Sequence, residues 1–216
     1  MKILYLDTSS SYLYAALCED RQILEEIKEK LDTELSTKTL PLLTDLFSRT
    51  NIDPFSISKI ILVNGPGSFT GIRIGVTIAK IYAWAKHISI TTISSLEAMA
   101  LSSIEDTDYV IPLIDARRKH VYTGIYDRAN HKVMNDQYVN LSVLLAASND
   151  LPGTVSYITN DSFDISGNVE PYIPNILKIV NTYKDKESVN PHEIDANYLK
   201  KTEAEEKKDQ NDKGSN

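Results

Sequence analysis

Cysteine is almost missing from this chain. Cys18 stands alone, which excludes an internal disulfide and suits a reducing compartment. It closes an apolar strand pattern, so it reads as a small packed residue rather than a nucleophile. Long apolar runs are missing too, and the segment after Met1 enters a strand pattern directly. Neither a signal peptide nor a membrane span is therefore expected, and the expected location is the cytoplasm. The four histidines, His87, His120, His131 and His192, include no pair three or four residues apart, so the helical zinc pair of metallopeptidases is lacking. There is no G-x-S-x-G elbow either: Phe69 and Thr70 both separate Ser68 from Gly71. Positive charge is also scarce. A net charge of −7 argues against the isolated chain gripping a nucleic-acid backbone, so a partner would have to supply the basic surface.

What remains is an ordinary globular composition, 42% hydrophobic and 25% charged, in 216 residues. That length makes one generous domain or two small ones.

The chain is organised around Asn64-Gly65-Pro66-Gly67-Ser68-Phe69-Thr70-Gly71-Ile72-Arg73-Ile74-Gly75. The apolar run at residues 60–63 predicts a buried strand before it, and residues 72–87 predict a helix after it. Two phosphate loops fail here. A Walker loop has four residues between its glycines and then a lysine, whereas Gly65 and Gly71 enclose five and Ile72 follows. A dinucleotide fingerprint fits Gly65 and Gly67, but Thr70 occupies its third glycine and no acid lies near residues 86–93. A tight strand-to-helix turn accounts for the glycines and for Pro66.

In the helix that follows, Gly71, Gly75, Ala79 and Ala83 form one stripe almost free of side chains. Ile74, Ile78, Ile81 and Ala85 form a second row, with Ile72 and Val76 between, while Arg73, Thr77, Lys80 and Trp84 take the remaining side. A helix apolar over so much of its circumference must be covered on more than one side. Two readings stand: its own sheet and neighbouring helix cover it, or a second subunit covers part of it.

In chain order, strands are predicted at residues 2–9, 12–19 and 23–31, the last a mixed pattern that would also fit a helix but is read as the third strand of a meander, then a helix at 33–50 with Leu35, Thr39, Leu42, Leu43, Leu46 and Phe47 on one face. Pro41 is expected to kink that helix or start its regular part. A strand at 88–93 precedes a capping box, Ser94 to Glu97, opening a short helix to about 103. The acidic break at 105–108 places a boundary between residues 1–104 and 105–202. Past it the chain begins again: Ile3 to Asp7 aligns with Ile111 to Asp115, and without gaps Tyr12, Leu13, Tyr14 and Leu17 fall on His120, Val121, Tyr122 and Ile125. Strands near 133–140 and 154–159 and helices near 141–147 and 172–184 follow. The charged composition of 203–216 predicts a disordered tail.

Asp7, with Thr8, and Asp115 are the acids that could flank an inter-lobe cleft as a vestigial nucleotide site. The plainer alternative is that each aspartate caps a hairpin turn. Arg117-Arg118-Lys119 stands where a second phosphate loop would want glycines, which disfavours an ATPase. The same basic tip could meet an anion or an acidic partner.

Asp7-Thr8-Ser9, the run from Gly65 to Gly75, Ser94-Ser95-Leu96-Glu97-Ala98, Ile114-Asp115-Ala116-Arg117-Arg118 and the terminal Tyr198-Leu199-Lys200-Lys201 with Glu203, Glu205 and Glu206 resemble the bacterial TsaB (YeaZ) family over nearly the whole chain. Leu35 stands where that family's pattern has a histidine, and the second half looks short. The resemblance implies an α/β, two-lobed actin- and Hsp70-like fold with duplicated ribonuclease-H-like domains, the second reduced, around a degenerate nucleotide cleft. It implies a non-catalytic role in making threonylcarbamoyladenosine beside the anticodon of tRNAs. The transferase TsaD would be the partner carrying the metal and the chemistry, and TsaE and ATP would join the assembly, with the activated intermediate made by TsaC. Self-pairing when alone is also implied. No cofactor is expected on the chain by itself, ATP or ADP belonging to the assembled complex, and tRNA is expected to be met only through that complex. The family is classed among glycoprotease-like sequences, although this chain lacks the metal-binding histidine pair. The partner interface is expected at Leu35, Thr39, Leu42 and Leu46 with Gly71, Ile72, Gly75, Val76, Ala79 and Ala83. On that expectation Val76→Arg blocks association and leaves the monomer stable. An ATP-binding enzyme using Asp7 and Asp115 is the second reading, and a peptidase a distant third.

Overall fold

The computed structural model describes residues 1–200. The charged segment expected to be disordered lies outside the described residues.

Strands β1 (Lys2–Asp7), β2 (Tyr12–Glu19) and β3 (Gln22–Lys30) form an antiparallel meander. Helix α1 (Leu35–Thr50) then leads to β4 (Lys59–Val63), which pairs parallel to β1. Helix α2 (Phe69–Lys86) leads to β5 (Ser89–Ile93), parallel to β4, and the sheet order is β3-β2-β1-β4-β5. Helix α3 (Ser95–Ser102) crosses to the second half. There β6 (Tyr109–Asp115), β7 (His120–Asp127) and β8 (Lys132–Asn140) form another antiparallel meander. Helix α4 (Leu141–Asn149), β9 (Val155–Ile158), β10 (Asn168–Glu170) and α5 (Ile176–Tyr183) complete the set. The second sheet runs β8-β7-β6-β9-β10, with β9 parallel to both β6 and β10, so it matches the first in order and direction. It is not reduced in strands, five standing against five.

Alternation along each central strand explains how one sheet serves two cores. Leu4 and Leu6 of β1, Leu13, Ala15 and Leu17 of β2, and Ile60 and Leu62 of β4 pack under α1 and α2. Ile3, Tyr5, Tyr14, Ala16, Cys18, Ile61 and Val63 point the other way, against α3 and α5. Both faces being covered, the strands read as unbroken apolar runs. Helix α3 lies between the two sheets and is buried on nearly every side, so it lacks an apolar stripe. The outer face of the second sheet packs on α4 through Ile111, Leu113, Val121 and Leu144.

Polar side chains tie the sheets together. Ser94 Oγ donates to Asp136 at 2.5 Å, as does the Tyr126 hydroxyl, and Lys132 pairs with the same carboxylate at 3.2 Å. Ser94 caps α3 by accepting from the Leu96 amide, whereas the Glu97 carboxylate accepts from the Tyr183 hydroxyl. The expected capping box is therefore half formed, its glutamate being used to hold α5.

Helix α1 begins at Leu35 with Pro41 inside it, so Pro41 does not start it. Two further local expectations differ from the structure. The second hairpin is one residue tighter than an ungapped alignment allows, since Asp7 faces Tyr14 but Asp115 faces Val121. Residues 176–200, counted with the second half, lie on the first sheet. Lys59 Nζ caps the end of α5 by donating to Lys184 O at 2.8 Å and Lys186 O at 2.6 Å. Val189 bridges Ile90, Ile194 enters the core under α2, and Asn197 N donates to Asn64 O at 2.7 Å.

The glycine run is explained by what lies beneath it. A Cβ on Gly67 would overlap Ser9 O, one on Gly71 would overlap Thr8 O, and one on Gly75 would overlap Thr8 Oγ1. Thr8 Oγ1 donates to Gly71 O at 2.7 Å, and Ser68 N donates to Ser9 O at 2.7 Å. Gly65 takes φ +108, and a Cβ there would meet Asn197 O at 2.9 Å. Overpacking of this kind costs about 1–3 kcal/mol, so Gly75→Ala lowers stability by that much. Thr8→Ala removes one hydrogen bond, about 1 kcal/mol. The double variant is expected to be at least about 0.5 kcal/mol more stable than the two losses added together, because the obstructing hydroxyl is gone. Urea denaturation of the four proteins checks this, and strict additivity would contradict it.

Candidate functional site

Two surfaces invite function: the cleft between the sheets and the outer face of α1 and α2. The cleft encloses about 840 Å³ and is lined by Ser9 to Tyr12, Gly67 to Thr70, Leu113 to Arg117, Tyr172 and Lys200 among others. Of the three residues of the expected vestigial nucleotide site, only Asp115 reaches it. Asp7 is buried, its Oδ1 accepting from Ser9 N at 2.8 Å and Ser9 Oγ at 2.7 Å, its Oδ2 facing the Tyr172 hydroxyl at 3.5 Å. Thr8 is buried against α2. Asp115 Oδ1 accepts from Arg117 N at 2.9 Å, the same two-residue turn that Asp7 makes with Ser9. Both aspartates therefore cap hairpins, and of the two only Asp115 lines the cleft. This corrects the vestigial-site expectation: Asp7 and Thr8 serve the core.

Burial pushes the Asp7 carboxyl up from its ordinary value, against the pull of the Ser9 bonds. Burial, and then Glu26, push the Cys18 thiol up to about 12, which agrees with a packed, unreactive cysteine.

The outer helices correct the interface expectation as well. Leu35, Thr39 and Leu46 of α1 are buried, as are Gly71, Ile72, Gly75, Val76, Ala79 and Ala83 of α2. All but Thr39, Gly71 and Gly75 belong to the apolar core under these helices. The small-residue stripe faces the chain's own sheet, because Thr8 and Leu62 leave no room for larger side chains. Val76 is 8% exposed, so Val76→Arg would put a charge in the core and unfold the monomer. Of the ten expected residues, only Leu42 is half-exposed.

The open apolar surface lies one helical step away. Leu40 is 59% exposed, Ile81 62%, Trp84 65% and Phe55 62%. Ile74 and Ile78 are half-buried between α1 and α2. A groove of about 720 Å³ runs there, lined by Leu40, Leu43, Phe47, Phe55, Ile78 and Ile81 among others. Periodicity alone misplaced the face because the small residues and the isoleucines both recur at helical spacing, every three or four positions. The missed signal was Trp84 and Ile81 in the half of α2 beyond the glycines.

Matched five-stranded sheets, a cleft whose first acid is turned inward, and an apolar groove on two outer helices define a paired-sheet α/β protein. The model of the family described as TsaD, tRNA N6-adenosine threonylcarbamoyltransferase, matches residues 25–196. The Bacillus subtilis tRNA threonylcarbamoyladenosine biosynthesis protein TsaB is 32% identical, the match covering 96% of this chain and 97% of that protein. The Escherichia coli protein of the same name is 29% identical over 63% of this chain and 60% of its own length. YeaZ from Pseudomonas aeruginosa shares the fold with a TM-score of 0.75 at 20% identity, over 92% of this chain and 99% of that one. A second Pseudomonas aeruginosa structure, of a protein described as similar to peptidase YeaZ, gives 0.77 at 18% identity over the same shares. The chain belongs to the TsaB (YeaZ) family.

Asp7 also supplies a pH test. The folded chain holds the Asp7 proton more tightly than the unfolded chain does, so its ionisation lowers stability. That loss develops as pH rises from the ordinary carboxyl value of about 3.9 through the raised folded value. Asp7→Asn lacks it. Between about pH 4 and about pH 7 the stability of Asp7→Asn should therefore rise relative to the parent chain. Parallel urea titrations at the two pH values check this, and a constant difference would contradict it.

Proposed function

We propose that this protein is a non-catalytic subunit in the biosynthesis of threonylcarbamoyladenosine in tRNA, and that it works by binding and supporting a TsaD-type transferase. The carrying observation is the apolar groove over α1 and α2, where exposed Leu40, Phe55 and Ile81 flank half-buried Ile78, on a chain whose Asp7 is buried away from the cleft. Exposed apolar side chains gathered along one groove mark an interaction face. The names of the relatives supply the pathway, and the partner is read from the same source. The same face would serve self-pairing in the absence of the transferase, and TsaE and ATP or ADP would join the assembly rather than this chain alone.

The matching sheets support a finer reading of the fold as two duplicated ribonuclease-H-like units of the actin and Hsp70 kind. Each unit opens with a hairpin whose aspartate caps the turn. An ATP-using enzyme built on Asp7 and Asp115 is disfavoured, because only one of the two faces the cleft. A peptidase has no observation in its favour.

A stable interface of this kind buries about 1,200–2,000 Å² in total. Ile81→Arg should abolish co-elution with the transferase on size exclusion while shifting the melting temperature of the isolated chain by no more than about 2 °C. Val76→Arg should instead lower the melting temperature sharply. Retained co-elution by a folded Ile81→Arg chain would remove the groove as the docking face.

A further inference from the structure

Within an acidic protein, three consecutive residues of one turn are cationic. Arg117, Arg118 and Lys119 form the tip between β6 and β7, with φ of 64°, 53° and 63°. Three consecutive left-handed residues, none of them Gly, Asn or Asp, is a conformation held by its surroundings. Here the tip is braced by His120 N donating to Arg117 O at 3.0 Å and Leu141 N donating to Lys119 O at 2.9 Å. Arg117 lines the inter-sheet cleft together with Lys30 and Lys200.

Three carboxylates stand near the tip and the cleft wall, two of them bonded to backbone amides of the tip's own turn. Asp161 Oδ2 accepts from Asp115 N at 2.7 Å, and Asp115 Oδ1 accepts from Arg117 N. Asp32 stands 3.8 Å from Lys30, both side chains being more than half exposed. Aromatic rings adjoin the cations: His120 stacks on Tyr138 at 4.7 Å, Tyr138 lies 5.7 Å from Tyr122, and half-buried Tyr12 and Tyr122 line the cleft.

We propose that this tip and the cleft wall beside it form a contact site for RNA phosphates and unstacked bases, so that the chain itself touches the tRNA. Cations placed beside half-exposed rings are how proteins hold looped or single-stranded RNA. A metal-bound nucleotide is a poorer occupant, since Asp7 is turned away from the cleft. The proposal rests on the reading that the protein works on tRNA, and it changes one part of that reading. The net charge of −7 keeps binding by the isolated chain weak, and the site adds its contacts within the assembly.

The test is fluorescence anisotropy of a labelled tRNA anticodon stem-loop titrated with the full chain, at low salt and over a salt series. The variant is Arg117→Asn with Lys119→Asn, because asparagine accepts the left-handed conformation and preserves the tip. Binding should weaken about tenfold, and the slope of log affinity against log salt should fall by about 1.4, or 0.7 for each lost single-strand contact. Lys178→Asn, an exposed lysine on α5, should change neither. The inference is overturned if the parent chain does not bind or if the double variant binds equally well. It is also overturned if Lys178→Asn weakens binding as much, or if ATP or polyglutamate displaces the probe as well as unlabelled RNA does. Co-elution with the transferase is read separately, so loss of one result leaves the other standing.

Discussion

Thr8 sits where the first strand ends and α2 passes over it, and its hydroxyl donates to the carbonyl of Gly71. No side chain on the underside of the helix fits above Thr8 and Ser9, so positions 67, 71 and 75 are glycine. That close approach sets the height of α2 above the sheet. It also positions Ile72, Val76, Ala79 and Ala83 in the core and turns Ile81 and Trp84 outward. The docking groove and the sealed acid both follow from it, since the turn that carries Thr8 and Ser9 also buries Asp7. A run that looks made for phosphate is used to bring backbone against backbone.

Much of this was legible in the sequence. Alternation in β1, β2 and β4, the polar break before residue 109 and the restart at Ile111 marked out two similar sheets, because two-sided burial writes itself as unbroken apolar runs. The site was legible in part. Asp7 and Asp115 stood out as a pair, but whether an aspartate faces a cleft or its own turn depends on a side-chain rotamer that spacing does not encode. The stripe of Gly71, Gly75, Ala79 and Ala83 was visible, yet small residues record a close neighbour without saying which one. Here the neighbour is Thr8 and Leu62 of the same chain. Residues 184–200 were illegible for a different reason. Their return to the first sheet rests on Lys59, Asn64 and Lys80 meeting backbone carbonyls and amides, and such partners leave no periodic trace.

The functional surfaces divide by chemistry. The groove beside Ile81 is apolar and suits a folded partner, whereas the tip at Arg117 to Lys119 is cationic and suits a phosphate chain. Between them the polar tie of Ser94, Asp136, Tyr126 and Lys132 holds the sheets in a fixed relation.

The central claim is that the outer face of α1 and α2 is covered by the transferase. Trp84 is the chain's single tryptophan and stands on the outer side of α2, three residues past Ile81 and 65% exposed, so its emission reports on cover over that helix. Titration with a tryptophan-free transferase should shift the emission to shorter wavelength and protect Trp84 from acrylamide quenching, in step with complex formation on size exclusion. A complex that forms while Trp84 keeps the emission and quenching of the free chain would contradict the account.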